Sequence, residues 1–296
     1  MKLKISKSSI FFLPAFIWVF LFILFPMLWS LYVSMCRYNP AVYGPKMTFN
    51  WGLNYYYVLT DKRFWESMLH QLHYTGVSVA VEVTLGVLIA LAIYNYIRSG
   101  WLKILCLIIV TMPIMAAPII VGTLWRLLFD PHSGVFSAIS VMLGFGPIDW
   151  FDRAHAMTSL IIADIWEWTG LVTLIVYAAR MAIPARIYEL ARVDGAPDFV
   201  VFRRITLPLL AQPIGMATLL RIMDSYRFFD LMFIMTRGGP GTATELPTFY
   251  TFILAFEQSD FGKAAALSWI LGLIAVFIMQ YIWNYFKKVR KFEVTI

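Results

Sequence analysis

The stretch from Ser8 to Cys36 carries no formal charge. A helix needs about 20 largely apolar residues to cross the hydrocarbon core of a bilayer, and this run is long enough to do so. Ile104–Trp125 and Ala264–Phe286 are also uncharged, Leu69–Ile97 carries only Glu82, and Ala154–Ala179 carries only Asp164 and Glu167. Ile205–Met235 begins apolar and then meets Arg221, Asp224, Arg227 and Asp230. These segments predict an all-α polytopic membrane protein with six transmembrane helices. The composition fits no soluble alternative. Hydrophobic residues make up 60% and charged residues 14% of the chain, against roughly 45–50% and 25% in soluble domains. So few charges could not solvate the surface of a soluble body, and disordered, collagen-like and disulfide-scaffold classes fail on the same composition.

Lys2, Lys4 and Lys7 ahead of the first run resemble the start of a signal peptide. The apolar run is too long for that, no A-x-A-like site ends it, and Val33-Ser34-Met35-Cys36 lacks the small residue of a lipoprotein site. It reads as a retained helix kinked at Pro14 and Pro26. Cys36 and Cys106 form no CxxC, so no disulfide framework or haem attachment is indicated.

Orientation follows from the basic residues. With the N-terminus inside, Lys2, Lys4, Lys7, Arg98, Lys103, Arg180, Arg186, Arg192, Arg203, Arg204, Lys287, Lys288, Arg290 and Lys291 are cytoplasmic, and Arg37, Lys46, Lys62, Arg63, Arg153 and Arg237 are external. This asymmetry accounts for the net charge of +7 without a nucleic-acid partner. The expected organisation is a cytoplasmic N-terminus at 1–9, a membrane domain at 10–286 with a cytoplasmic loop at 181–212, and a basic cytoplasmic C-terminus at 287–296. The outer segments carry interfacial aromatics, Trp51, Tyr55, Tyr56, Tyr57, Trp65, Trp150 and Phe151, and a short surface helix over Val135–Leu143.

The cytoplasmic loop is more sharply specified than a linker. Ile187–Val193 reads as a short helix that Asp194-Gly195 terminates, because glycine tolerates the left-handed conformation at a helix end. Pro197 fits the first turn of a second helix running to about Ile205, and Pro208 and Pro213 break the chain before the fifth span. Glu189, Arg192, Asp194, Asp198, Arg203 and Arg204 face water, and Ile187, Leu190, Val193, Phe199, Phe202 and Ile205 lie on apolar faces. From the physics alone, an amphipathic loop packed under the helices and binding nothing accounts for the pattern equally well.

Glu189-Leu190-Ala191, then Gly195, then Ile205-Thr206-Leu207-Pro208 resembles the EAA loop of permease subunits in binding-protein-dependent ABC importers. In that family the motif is Glu-Ala-Ala, a glycine four residues on, then Ile-x-Leu-Pro. The spacing matches, and Leu190 replaces the second alanine. Gly238-Gly239-Pro240 before Ala243-Thr244, and Phe261-Gly262-x-Ala264-Ala265-Ala266-x-Ser268, extend the resemblance to the carbohydrate-uptake branch over essentially the whole chain. The resemblance implies a type I importer permease in a prokaryotic inner membrane. Its partners are then a second homologous permease, two cytoplasmic ABC ATPase subunits and an extracytoplasmic solute-binding protein. It also implies that Glu189, Ala191, Asp194, Gly195, Ile205, Leu207 and Pro208 form the ATPase-coupling site, and that ATP–Mg belongs to the partner, with no cofactor in this chain. The solute would be a sugar, oligosaccharide, sugar alcohol, glycerol or glycerol phosphate.

The residues themselves show no engine. No G-x-x-x-x-G-K-[ST] loop occurs, Gly238-Gly239-Pro240-Gly241 reads as a turn, and His70, His73, His132 and His155 lack zinc spacing. No catalytic or metal residue is therefore expected. Charge in a bilayer costs roughly 2.5–3.5 kcal/mol per residue, so it has a partner or a use. Arg221, Asp224, Arg227 and Asp230 at i, i+3 spacing fit an ion-paired ladder or a polar lining for a hydroxylated solute, with Asp224 and Arg227 the best functional pair. In Asp164-Ile165-Trp166-Glu167-Trp168-Thr169, Asp164 and Glu167 stand beside tryptophans, Trp166 foremost, as carboxylates do in sugar sites, and the stretch suits helix packing somewhat better. Glu82 reads as structural, with an arginine on another helix as its possible partner. A self-sufficient proton-coupled transporter using Asp164 and Glu82 would need an internal repeat, which is not detectable. A membrane enzyme would need a catalytic constellation, and none is recognisable.

Overall fold

The computed structural model describes residues 9–144 and 146–293. Lys2, Lys4 and Lys7 and the end of the basic C-terminus lie outside the described residues, as do the side chains of Lys287, Lys288, Arg290 and Lys291. The main helices are α1 (Phe11–Ser34), α2 (Leu53–Thr60), α3 (Lys62–Tyr96), α4 (Gly100–Met115), α5 (Pro118–Leu128), α6 (Val135–Met142), α7 (Ala156–Ala182), α8 (Ala185–Val193), α9 (Asp198–Ser225), α10 (Asp230–Met235), α11 (Pro247–Phe252) and α12 (Phe261–Glu293). Among the described residues, α1, α3, α7, α9 and α12 are long and apolar enough to cross a membrane, and α4 with α5 passes the same test as a bent pair, which makes six if the pair is one span.

The chain divides into two compact units, the first comprising residues 1–65 and 250–274. Along α1, Phe11, Phe16, Trp18 and Phe22 are exposed, the surface a lipid-solvated helix presents. Pro14 lies inside its first segment, and a π turn at Phe20–Leu24 precedes Pro26. Beyond α1, Cys36–Arg37 (β1) pairs antiparallel with Thr48–Phe49 (β2), Cys36 opposite Phe49. Asn54 fastens this corner, its amide donating to the Ser34 carbonyl at 2.9 Å and the Cys36 carbonyl at 2.8 Å. Gly262 at the start of α12 packs so closely on the Cys36 carbonyl that a Cβ there could not be accommodated.

The second unit comprises residues 66–249 and 275–296. Its core joins Val87, Ala90 and Leu91 of α3 to Val172 and Val176 of α7 and to Leu210 and Ala217 of α9. Glycines set the helix approach, as they do where lipid supplies no hydrophobic drive to association. A Cβ on Gly86 would lie 2.6 Å from Val172 Cβ, and one on Gly170 would run into the Val110 carbonyl. Trp125, Phe129, Phe136 and Trp150 hold α5 and α6, with the Phe129 and Trp150 rings 4.9 Å apart. Beyond α5, Asp130 accepts from the Ser133 N–H at 2.8 Å and hydroxyl at 2.9 Å and from the His132 N–H at 3.0 Å. These bonds hold its carboxyl below the usual carboxylate range.

Three expectations need correction. The expected third span, Ile104–Trp125, is broken, with α4 and α5 bent by 98°. Pro113 tightens Met112–Met115 into a 3-10 turn, and Pro118 holds Ala117 extended. Pro197 is the N-cap of α9, one residue before its first turn, and α9 continues through Pro208 and Pro213. A π turn at Phe202–Thr206, in which the Leu207 N–H bonds the Phe202 carbonyl, precedes Pro208 and replaces the expected break. The expected fifth span also stops short, at Ser225, and Asp230 opens the separate α10.

Candidate functional site

Of the ladder that the order Arg221, Asp224, Arg227, Asp230 implies, the Arg221–Asp224 and Asp224–Arg227 pairs form at 3.0 and 3.1 Å, while Asp230 lies past the end of α9 at Ser225. Arg221 is fully buried and turns toward other helices. Its Nε donates to Glu82 Oε2 at 2.6 Å and its Nη2 to Glu82 Oε1 at 3.0 Å, a bidentate pair with α3. Nη2 also reaches Asp164 Oδ2 of α7 at 3.0 Å, and Nη1 reaches Asp224 Oδ2 at 3.0 Å. The Trp168 ring covers the guanidinium at 4.5 Å. One cation therefore pins three helices together deep in an apolar body, where its hydrogen bonds gain strength from low dielectric. Glu82, read as structural, does meet an arginine on another helix.

Asp224 is the bridge from this buried cluster to an opening. Its second oxygen accepts from exposed Arg227 at 3.1 Å. Both residues line a cavity of about 410 Å³ with Trp168, Leu171, Leu220, Met223, Tyr226 and, from α12, Ala275, Ile278 and Met279. The lining is mostly apolar with one indole, one phenol and one ion pair. That chemistry suits a solute with both C–H faces and hydroxyls.

The other expected residues separate. Asp164 is buried within the cluster, Glu167 is 2% exposed with no hydrogen-bond or ion-pair partner among the described residues, and Trp166 packs its ring on Trp125 at 5.8 Å. Asp230 is exposed and outside the cavity lining. Trp168 belongs to the carboxylate–tryptophan stretch read from the sequence, where Trp166 is the tryptophan singled out, and Tyr226 was missed. Trp168 was legible, since it follows Asp164 by one helical turn and so shares its face. Tyr226 lies beyond the helix end and gave no such signal.

The α8 segment forms as its sequence implies. Gly195 has φ +68°, its N–H bonds the Arg192 carbonyl at 3.0 Å, and the Ala196 N–H bonds the Ala191 carbonyl at 3.0 Å. This is a Schellman closure, which fixes the direction in which the chain leaves α8. Glu189, Asp194 and Gly195 are exposed, while Ala191 is 6% exposed and faces inward. Leu190, Val193 and Phe199 are exposed at 56%, 85% and 68%, so α8 and the start of α9 present an apolar patch ringed by charge. Ile205 is half-buried in the π turn, and Leu207 and Pro208 follow it on α9. Gly238-Gly239-Pro240-Gly241 is a turn closed on itself, the Thr244 N–H bonding the Gly238 carbonyl at 3.1 Å. His70 bonds the Glu245 carbonyl at 3.1 Å, and among the described residues no group of side chains is arranged to hold a metal.

Residues 82–284 match the family described as binding-protein-dependent transport system inner membrane component. A probable ABC transporter permease protein of Sinorhizobium fredii is 33% identical, over 97% of this chain and 92% of that protein. The trehalose/maltose transport system permease protein MalF of Thermococcus litoralis is also 33% identical, over 93% of this chain and 92% of its own length. In a crystal structure of a bacterial ABC transporter importing the acidic polysaccharide alginate, one chain superposes with a TM-score of 0.81 at 22% identity, covering 95% of each chain, which shows a shared fold.

Proposed function

The chain belongs to the binding-protein-dependent transport system inner membrane component family, and on that premise we propose how this permease subunit of an ABC importer carries and couples its solute. It is a multi-pass inner-membrane protein of a family of non-enzymatic membrane subunits. The solute is a sugar, oligosaccharide, sugar alcohol or related small polyhydroxy compound. It passes the cavity bordered by Trp168, Tyr226, Asp224 and Arg227. The observation that carries this reading is the pairing of an indole and a phenol with the Asp224–Arg227 ion pair in one 410 Å³ cavity. Aromatic faces cover sugar C–H surfaces, and the ion pair exchanges hydrogen bonds with hydroxyls. The relative named for trehalose and maltose supports the same class.

Both termini and α8 face the cytoplasm, and a second permease completes the path. The binding protein delivers solute from outside. ATP–Mg is held by two partner ATPases, whose closure supplies the driving force, and this chain binds no nucleotide. Glu189, Asp194 and Gly195, with the exposed Leu190 and Val193, meet the ATPase. Ala191, Ile205, Leu207 and Pro208 support that helix and its junction with α9. A rigid, capped helix transmits a rigid-body displacement that a flexible loop would absorb.

The test is the complex of two permeases, ATPases and binding protein in proteoliposomes, offered neutral saccharides and polyols. ATP-dependent uptake of one of them is the expected result. Uptake that proceeds without ATP and stops with a protonophore would overturn the reading in favour of a secondary transporter.

A further inference from the structure

Arg180 lies in the last turn of α7 and is only 6% exposed. Its guanidinium carbon is 4.1 Å from the ring centre of Tyr94 on α3 and 3.9 Å from that of Tyr188 on α8. The cation is therefore held between two aromatic faces contributed by two other helices. Among the described residues no carboxylate pairs with it, and neither its Nη1 nor the Tyr188 hydroxyl makes a hydrogen bond. Stacking of a planar cation on ring faces is what holds the contact. Tyr94 is itself fixed, since Lys103 sits over its ring at 5.1 Å and donates to its carbonyl at 3.3 Å, and the Tyr177 ring meets it edge-on at 6.2 Å.

The position of this sandwich matters because of what it spans. Between α7 and α8, Ile183 and Pro184 are extended, with ψ of 123° and 132°. Pro184 has no N–H to carry helix hydrogen bonding across, so the backbone alone makes a hinge. Arg180 lies before the hinge and Tyr188 after it.

We propose that Arg180 is a positioning residue for coupling, whose sandwich between Tyr94 and Tyr188 locks the Ile183-Pro184 hinge and makes α8 move as one body with α3 and α7. A displacement imposed on α8 then travels along α3 and α7 to Glu82 and Asp164, which hold Arg221 of α9 beside the cavity. Without the sandwich the same displacement is absorbed at Pro184. This inference rests on the reading of α8 as the ATPase-docking helix.

The experiment uses the reconstituted complex and reads solute imported per ATP hydrolysed, normalised to assembled complex. Arg180→Lys keeps the charge and loses the plane; Tyr188→Leu loses the ring; Tyr188→Phe keeps it. The expected result is a ratio about tenfold lower for Arg180→Lys and Tyr188→Leu, the scale of a desolvated cation–π contact, with Tyr188→Phe within about twofold of the parent. A merely structural role would lower the yield of complex and leave that ratio unchanged, which overturns the proposal. So does equal loss in Tyr188→Phe and Tyr188→Leu, which would place the effect in the hydroxyl. Glu189→Ala and Gly195→Pro in the same assay separate the two readings. If they lower the ratio and Arg180→Lys does not, the sandwich fails alone; if they too leave it unchanged, the docking assignment fails with it.

Discussion

Arg221 of α9 and Glu82 of α3 meet as a fully buried bidentate pair, with N–O distances of 2.6 and 3.0 Å. Removing Glu82 takes from Arg221 both hydrogen bonds of the bidentate pair, and a hydrogen bond to a charged group is worth about 1.5–3 kcal/mol. Glu82→Ala is therefore expected to prevent accumulation of the folded chain, since Asp164 and Asp224 offer Arg221 only one oxygen each. Glu82→Gln, which keeps an acceptor for Arg221, should fall between Ala and the parent. Membrane yield and thermal unfolding in detergent measure both, and a parent-like Glu82→Ala would show that the pair does not hold α3 to α9.

Gly170 should be as intolerant as Gly76 is permissive, although both are glycines in spanning helices. A Cβ on Gly170 meets the Val110 carbonyl, whereas one on Gly76 has nothing within 4 Å. Gly170→Ala must push α4 off α7, and overpacking of this kind costs about 1–3 kcal/mol. Gly76→Ala gains helix propensity of up to about 1 kcal/mol. Unfolding temperatures that move in opposite directions for the two variants are the expected outcome. Equal shifts would contradict the close approach of α4 and α7.

The contrast between those glycines shows where the sequence stops being informative. The spanning helices were legible because lipid solvation is a local property: each run declares itself by its own length and lack of charge. Gly195 was legible for the same reason, since a helix end is closed by its immediate neighbours. The 98° break at Ala116-Ala117 was not, because an apolar run with prolines is compatible with one kinked span or two bent segments. Nor was the continuity of α9 through Pro208, which depends on a π turn that no periodicity announces. At the site, the i, i+3 spacing announces the Arg221–Asp224 pair, which forms, but not the principal partner of Arg221. Its bidentate partner lies 139 positions away on α3, and only the packing of three helices decides that choice.

Asp224 should separate transport from assembly. Its side chain is 33% exposed and reaches Arg221 on one side and Arg227 in the cavity lining on the other. In Asp224→Ala, Arg221 keeps Glu82 and Asp164, so the complex should still form. The cavity loses its carboxylate, and a charged hydrogen bond to a hydroxyl is worth about 1.5–3 kcal/mol, so uptake efficiency should fall at least about tenfold. Solute titration of uptake beside the yield of co-purified ATPase tests this. Normal uptake would remove Asp224 from the path, and loss of the ATPase would assign it to assembly.

At Gly195 the order of three substitutions follows from backbone conformation alone. The residue has φ +68°, yet a Cβ there has nothing within 4 Å, so no side chain is excluded for lack of room. Alanine in that conformation costs roughly 1–2 kcal/mol, and asparagine, which visits it more readily, costs less. Proline cannot adopt a positive φ and also removes the N–H that bonds the Arg192 carbonyl at 3.0 Å, so it must undo the closure of α8. Solute imported per ATP hydrolysed should therefore fall in the order Gly195→Asn, Gly195→Ala, Gly195→Pro, with the proline variant still inserted in the membrane and its ATPase still turning over. A proline variant that imports at the parental ratio would mean that the rigid end of α8 plays no part in transmitting the stroke.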